Sequence, residues 1–273
     1  MKSNVRALWG LAVILPFGLI NQAAAALVYS QDFNNVTPGT TGTGIGDGTN
    51  IVSTNNSGAA SVQDWGGFKA LRLTQEAYGS TVSNFFLPDL NPGGFITSFD
   101  VSFDLLIQST DSVYADGISF NIGQLNNTTT PYGSEYGMYN TSYTGDVLSV
   151  GWINYFGGTK RIVVQENGAT VASNSSYPPI THIGTSVGPT VAVHLTWNVE
   201  DGLSLTYGGN SVFTNLAVSG FTPEAGYKFA FAARTGADTQ DVWIDNLQIN
   251  TVPEPSTALV GALALLGFLR RRR

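Results

Sequence analysis

The sequence predicts an all-β fold, an antiparallel β-sandwich of the jelly-roll kind, flanked by an N-terminal signal peptide and a C-terminal short transmembrane helix. Three observations predict it. Apolar and polar residues alternate with a period of two along the middle of the chain, as strands with one buried and one wet face require. Turn signals punctuate these runs, among them Asn91-Pro92-Gly93-Gly94, Glu166-Asn167-Gly168 and Glu200-Asp201-Gly202. No amphipathic helix of convincing length interrupts them. Many short strands with Gly-rich connections suit a sandwich or jelly roll.

The N-terminus reads as an export signal. Lys2 and Arg6 form a positive n-region, Ala7 to Ile20 an apolar h-region, and Ala23 to Ala26 a small-residue cleavage site. The apolar run falls short of the roughly 20 residues that span a bilayer, which favours cleavage after Ala25 or Ala26 over a retained anchor. Residues 1–26 are therefore expected to be removed by signal peptidase. From Pro38 to Gly58 apolar content is low, and the segment reads as a long surface loop. Its Gly42, Gly44, Gly46 and Gly48 are no nucleotide fingerprint, because no helix follows to receive a phosphate.

Strands follow. Phe99, Val101, Phe103 and Leu105 alternate with Asp100, Ser102 and Asp104, and Ile118, Phe120 and Ile122 alternate with Ser119 and Asn121. Gln124 to Gly145 is again poor in apolar residues and predicts a second long surface loop. Arg161 to Val171 reads as a hairpin turning at Asn167-Gly168. Val191 to Trp197, Leu203 to Tyr207 and Tyr227 to Ala233 read as further strands with looser alternation. In Asp241 to Ile249 the unbroken run Val242-Trp243-Ile244 predicts a strand covered on both faces.

Pro253, Glu254 and Pro255 resist continuation of a strand or helix and predict an exposed, extended linker. The apolar residues 256–269 would make about 21 Å of helix, short for a bilayer core of about 30 Å. Arg270 to Arg273 cannot cross a membrane cheaply and should stay cytoplasmic. This order, with Val252-Pro253-Glu254-Pro255 ahead of a greasy helix and a basic stop, resembles the PEP-CTERM sorting signal of Gram-negative bacteria. The resemblance implies that an exosortase cuts near the motif and releases or transfers the protein at the cell envelope, outer surface or medium. A permanent anchor is the alternative. The organisation expected is thus 1–26 signal, 27–251 sandwich and 252–273 sorting signal.

Composition narrows the function. The chain has 273 residues, 11% aromatic, and roughly 225 remain between the terminal signals, suiting one large β domain. That domain carries only Lys69, Arg72, Lys160, Arg161, Lys228 and Arg234 as cations against eighteen carboxylates, a formal charge of −12. Such a surface repels phosphate backbones and argues against nucleic-acid binding. With no cysteine, disulfides, a lipoprotein anchor and thiolate metal or redox chemistry are excluded, so a packed core must hold the fold.

The most informative stretch is Tyr114-Ala115-Asp116-Gly117-Ile118-Ser119-Phe120. On its own, Asp-Gly is a common turn pair before a strand. The stretch also resembles the Ala-Asp-Gly-hydrophobic-x-Phe segment of legume-type (L-type) lectins. Leu148 to Ile153 sits where those lectins carry their next core strand. Phe229 to Gly236, followed by Asp241 to Leu247, is similar to their strand, Thr-Gly loop and closing strand. The resemblance implies a concanavalin A-like jelly roll in which Asp116, often across a cis peptide in that family, accepts hydrogen bonds from sugar hydroxyls. By the same resemblance the loop from Arg234 to Asp238, with Gly236, is a second candidate, and Gly117, Asn154 and Tyr155 complete the expected carbohydrate site.

One departure bears on metals. After the sugar aspartate the family carries a Glu and an Asp, two residues apart, that bind structural metals. Gly151 and Ile153 stand there, and neither side chain ligates a hard cation. Asp146 and Asn154 lie nearby, but no ligand set is evident, so neither metal nor other cofactor is expected. Loop aromatics offer a second route to carbohydrate: Tyr132, Tyr136, Tyr139, Tyr143 and Tyr155 are candidates for stacking on sugar faces, or alternatively for packing the loop.

No catalytic residue is assigned. Of the two histidines, His194 lies within an apparent strand and His182 lacks a nearby carboxylate motif, a poor basis for a zinc site. Gly184-Thr185-Ser186-Val187-Gly188 matches G-x-S-x-G, but Pro189 and a strand follow where a nucleophile elbow needs a helix. The closely spaced Glu-x-Asp-x-x-Glu of some sandwich glycosidases is missing. The leading expectation is a non-catalytic cell-surface or secreted protein whose sandwich binds extracellular polysaccharide. The alternatives are a structural protein of the extracellular matrix without ligand specificity and a polysaccharide-cleaving enzyme.

Overall fold

Strands form where β-branched and aromatic residues alternate with polar ones, and a few form where nothing in the local pattern announces them. A computed structural model of the chain describes residues 26–54, 60–65, 67–126, 128–142, 144–155, 158–179, 182–184 and 188–253. The expected signal peptide up to residue 25, Tyr143, the centre of the G-x-S-x-G match and the tail from Glu254 onward lie outside the described residues. Among the described residues no helix is long and apolar enough to cross a membrane.

In chain order the strands are β1 (Ala26–Gln31), β2 (Asn50–Ser53), β3 (Ser61–Trp65), β4 (Phe68–Thr74), β5 (Thr81–Phe86), β6 (Ile96–Ser109), β7 (Gly117–Leu125) and β8 (Thr144–Ile153). They continue as β9 (Arg161–Glu166), β10 (Ala169–Asn174), β11 (His182–Ile183), β12 (Val191–Asn198), β13 (Gly202–Tyr207), β14 (Asn210–Leu216), β15 (Lys228–Thr235) and β16 (Asp241–Pro253). One sheet runs β14-β13-β12-β6-β16-β4-β3, with β1 also pairing β16 and β11 pairing β6; the other runs β10-β9-β8-β7-β15-β5-β2. Apart from the short parallel β11–β6 contact, the pairings are antiparallel.

The two inner faces meet in one aromatic core. Phe103 of β6 packs edge-on against Phe231 of β15 at 5.0 Å and against Trp152 of β8 at 5.8 Å. Phe99 meets Phe229 edge-on at 5.7 Å. Each such pair contributes about 1 kcal/mol beyond its buried area. The alternation in β6 is as expected, but the strand runs on through Leu106 and Ile107, where alternation ceases because both faces are covered. Leu106 lies in an outer cluster with Ala70, Trp65 and Trp243; the two indoles stack at 5.4 Å, and the Arg72 guanidinium sits 5.3 Å from the Trp243 ring. This cover accounts for the unbroken apolar run in β16. The Asn167-Gly168 hairpin joins β9 and β10 with both turn residues at positive φ, 50° and 77°.

Two expectations are corrected. Pro253 does not open a linker: it ends β16, opposite Ile96 across a register shift, a strand-end position where its missing N–H is tolerated. The described residues of 124–145 are not a freely solvated loop. Tyr132, Glu135 and Met138 are buried, and the segment lies over the outer face of the β7–β15 sheet in a second small core with Phe86, Val147, Ala230 and Ala232. Polar side chains of the sheet satisfy its backbone. Asn84 Nδ2 donates to the Tyr132 carbonyl and the Tyr132 N–H donates to Asn84 Oδ1. The Met138 N–H donates to Asn121 Oδ1, and the Ser119 hydroxyl donates to the Ser134 carbonyl. Low apolar content here marks a polar seam against the sheet, with Thr129, Thr130, Tyr139, Thr141 and Ser142 left exposed. The earlier segment 38–58 likewise contains β2.

Asp245, on β16, is buried, and burial pushes its pKa up to about 6, with Asp104 and Asp32 adding repulsion against the favourable Asn246 N–H. An acid whose pKa rises on folding favours the native state below its unfolded pKa and loses that contribution as pH rises through the folded value. Asp245 therefore destabilises the fold above about pH 6 by up to about 3 kcal/mol relative to pH below 3.8. Asp245→Asn keeps the acceptor for the Asn246 N–H and should raise Tm at neutral pH by about 5 °C, with the gain vanishing in acid. Thermal melts across this pH range check it, and an equal shift at both ends would refute the assignment.

Candidate functional site

Asp116 immediately precedes β7, the central strand of its sheet, whose neighbours are β8 and β15. The Ala115–Asp116 peptide is cis. The Asp116 N–H donates to the Arg234 carbonyl at 3.1 Å, and the Asp116 carbonyl accepts from the Asn154 N–H at 2.7 Å. Main-chain bonds on both sides thus fix the residue before its side chain is considered.

Arg234 defines the electrostatics. From β15 its Nε donates to Asp116 Oδ2 at 3.1 Å and lies 3.3 Å from Glu135 Oε2, while Nη2 donates to Glu135 Oε1 at 3.4 Å. The Asp116 side chain is 10% exposed, that of Glu135 4% and that of Arg234 43%. Burial pushes the Asp116 carboxyl above the ordinary range; Arg234 pulls it down and Asp238 pushes it up. Glu135 is raised by burial as well, against the pull of Arg234. Gly236 borders the Asp116 carboxylate: a Cβ there would stand 3.4 Å from Oδ2, an ordinary contact distance. A shallow groove of about 420 Å³ is lined by Glu76, Thr110, Asp111, Val113, Ala237 and Asp238, the last two following Gly236 in the chain, and Asp116 itself does not line it.

The structure therefore brings Asp116, Gly117, Arg234, Gly236 and Asp238 to one end of the sandwich. Asn154 is fully buried and its amide donates to Gln240 Oε1 at 2.9 Å, while its Oδ1 has no hydrogen-bond partner among the described residues. Tyr155 follows it and is 46% exposed. Tyr132 is buried against Phe86, and Tyr136, partly buried, lies under the Arg161 guanidinium at 5.8 Å. Asp146 does not meet Asn154. It sits near the other end of β8, accepting from the Asn167 side chain and the Thr222 N–H. His194 pairs with Asp100 on the exposed face of β12. Glu135 was missed by the sequence reading. Its partner lies 99 residues away on β15, and the surrounding loop carries no pattern that points to it.

The fold and the C-terminus both find counterparts among known proteins. Residues 251–273 match the family model of the PEP-CTERM protein-sorting motif, which signals export to the cell envelope or surface and processing by an exosortase. No curated protein sequence matches the chain. Among solved structures, the Emp47p carbohydrate recognition domain is similar at 18% identity and a TM-score of 0.57, over 83% of this chain and 96% of that one. The lectin from Bauhinia forficata in complex with GalNAc reaches 14% identity and 0.58, over 85% and 100%. The VIP36 exoplasmic/lumenal domain in its Ca2+/Man3GlcNAc-bound form reaches 12% and 0.54, over 82% and 89%. At such identities the likeness establishes the fold. The chain is a lectin-type β-sandwich jelly roll carrying a PEP-CTERM sorting motif at its C-terminus.

Proposed function

We propose that this exported, lectin-like protein is a non-catalytic saccharide-binding protein of the cell surface or medium, with Asp116 as the acceptor for sugar hydroxyls. The observation that carries the reading is the Asp116 carboxylate itself. Main-chain bonds hold the residue on both sides, Arg234 pairs with its carboxylate, and the side-chain-free Gly236 borders it, leaving the carboxylate 10% exposed. A carboxylate fixed in this way accepts hydroxyl hydrogen bonds without paying an ordering cost at binding. Tyr155, exposed and next in the chain to Asn154, and the groove lined by Ala237 and Asp238 are the candidate contact surface.

Cleavage of polysaccharide is disfavoured by the same geometry. Asp116 and Glu135 converge, but on Arg234, with Glu135 buried behind the guanidinium rather than across an open cleft. A glycosidase needs both acids facing the scissile bond.

A glycan array probed with the purified full chain, with and without calcium, tests the proposal. Binding to at least one saccharide is expected. Asp116→Asn, close to isosteric, should weaken it by about 1.5–3 kcal/mol, on the order of 10- to 100-fold. Binding should also fade as pH falls and Asp116 protonates, beginning above the ordinary aspartate range because burial raises this acid. A blank array, or binding indifferent to Asp116→Asn, would remove the reading and leave a structural role in the matrix.

A further inference from the structure

The lectins that the sequence resembles hold a divalent cation near their sugar aspartate, and here the residues do not fit one. A Cβ on Gly151 would lie 2.1 Å from the Glu135 carbonyl oxygen and 3.1 Å from Val163 Cγ1, so loop backbone fills the space that a ligating side chain would need. Ile153 is apolar and buried, and Asp146 is engaged near the other end of β8. Among the described residues no cluster of three His, Asp or Glu could hold a metal ion. Hard cations need several oxygen ligands, and this end of the sandwich does not assemble them.

A positive charge is nonetheless present, and it is covalently part of the chain. We propose that Arg234, clamped by Glu135, takes the place of a divalent cation: its guanidinium fixes the Asp116 carboxylate, so that ligand binding there needs no metal. The proposal builds on the saccharide reading above. Three features support it. The planar fork of an arginine can serve two carboxylates at once, and here Nε faces both Asp116 and Glu135 while Nη2 reaches Glu135. Glu135 is the more buried acid, set behind the guanidinium as a backstop rather than a ligand contact. The loop that delivers Glu135 also closes the space beside Gly151, so a single segment both supplies the clamp and removes room for a cation. Arg234 and Glu135 are positioning residues in this scheme. Arginine holds its charge at every pH at which the protein folds, and unlike a bound ion it does not exchange with the solution.

Calorimetric titration of the purified full chain with calcium chloride alone should give no saturable heat, and Tm should be equal in calcium chloride and in EDTA. Saturable heat, or a Tm that rises with calcium, would overturn the proposal. The titration of Asp116, followed by its carboxyl carbon NMR shift, should move to higher pH in Arg234→Met and return toward the parent in Arg234→Lys. Should Arg234→Met fail to fold, Glu135→Gln, which keeps shape but loosens the clamp, should also change the Asp116 titration. An Asp116 titration unmoved in the folded variants counts against the role of Arg234. Glycans that bind on the array should stay bound in EDTA, and loss of signal there overturns the proposal. An array blank in all conditions would end the saccharide reading alone, since the calcium and Asp116 titrations still decide what Arg234 does.

Discussion

Gly117→Ala should destabilise the protein by about 4 kcal/mol and abolish any binding at Asp116. Gly117 has φ of 140°, a conformation that side chains with a Cβ rarely adopt, and it lies in β7 opposite Ile153 of β8 and Arg234 of β15. An added Cβ would stand 2.0 Å from the Trp152 carbonyl oxygen, far inside contact distance, and 3.1 Å from Glu135 Cβ. Relief by movement is blocked. Trp152 is fully buried in the aromatic core, and β7 is hydrogen-bonded on both sides. The strand would have to part from β8, and the bond from the Asn154 N–H to the Asp116 carbonyl would be the first lost. Urea unfolding reads the stability and the glycan array reads the site. A variant within about 0.5 kcal/mol of the parent would mean that the close approach of the two strands is wrong.

Gly151→Val is expected to act on the loop rather than on the core. The missing side chain of Gly151 lets the Glu135 carbonyl sit against β8, and any Cβ would meet it at 2.1 Å. Valine must push the segment outward. Tyr132 and Met138 would then lose their cover over Phe86, Ala230 and Ala232, and Glu135 would leave Arg234. Forcing methyl groups into a filled site costs about 1–3 kcal/mol, and loss of the small outer core puts the expected value near the top of that range. The aromatic core between the sheets is untouched, so the far-UV spectrum should persist while limited proteolysis cuts within 128–142 much faster than in the parent. An uncut loop would show that Gly151 does not hold it.

The residues that made the fold legible are those whose surroundings are set by their own strand. Phe99 to Leu105 and Ile118 to Ile122 alternate because one face of each meets the opposing sheet. The pattern becomes unreliable where polar residues are buried. Ser83 and Asn84 in β5 are both fully buried, and Asn84 bonds to the backbone of the overlying segment, so β5 does not read as a strand with a dry face. Strands β10 and β14 lie at sheet edges with mostly exposed residues, which removes the periodic signal altogether. The segment 124–145 reads as solvated for a related reason. Its hydrogen-bond partners Asn84, Asn121 and Ser119 belong to other strands, and no window of local sequence contains both sides of those bonds.

The site divides in the same way. Asp116-Gly117 and the Pro-Glu-Pro tail are visible because each is a short run of residues in a characteristic order, and the sorting motif is matched directly. That order, together with the two-residue period of the strands, was enough for the fold class and the sorting motif. Only the tertiary structure decided that Arg234 would bridge Asp116 and Glu135, that Asn154 would turn inward to Gln240, and that Gly151 would admit loop backbone where a metal ligand would otherwise stand. The physical reason is range. Side-chain alternation is written over a few neighbouring positions, whereas an ion pair between residues 99 or 118 positions apart exists only once strand register has brought them within hydrogen-bond reach.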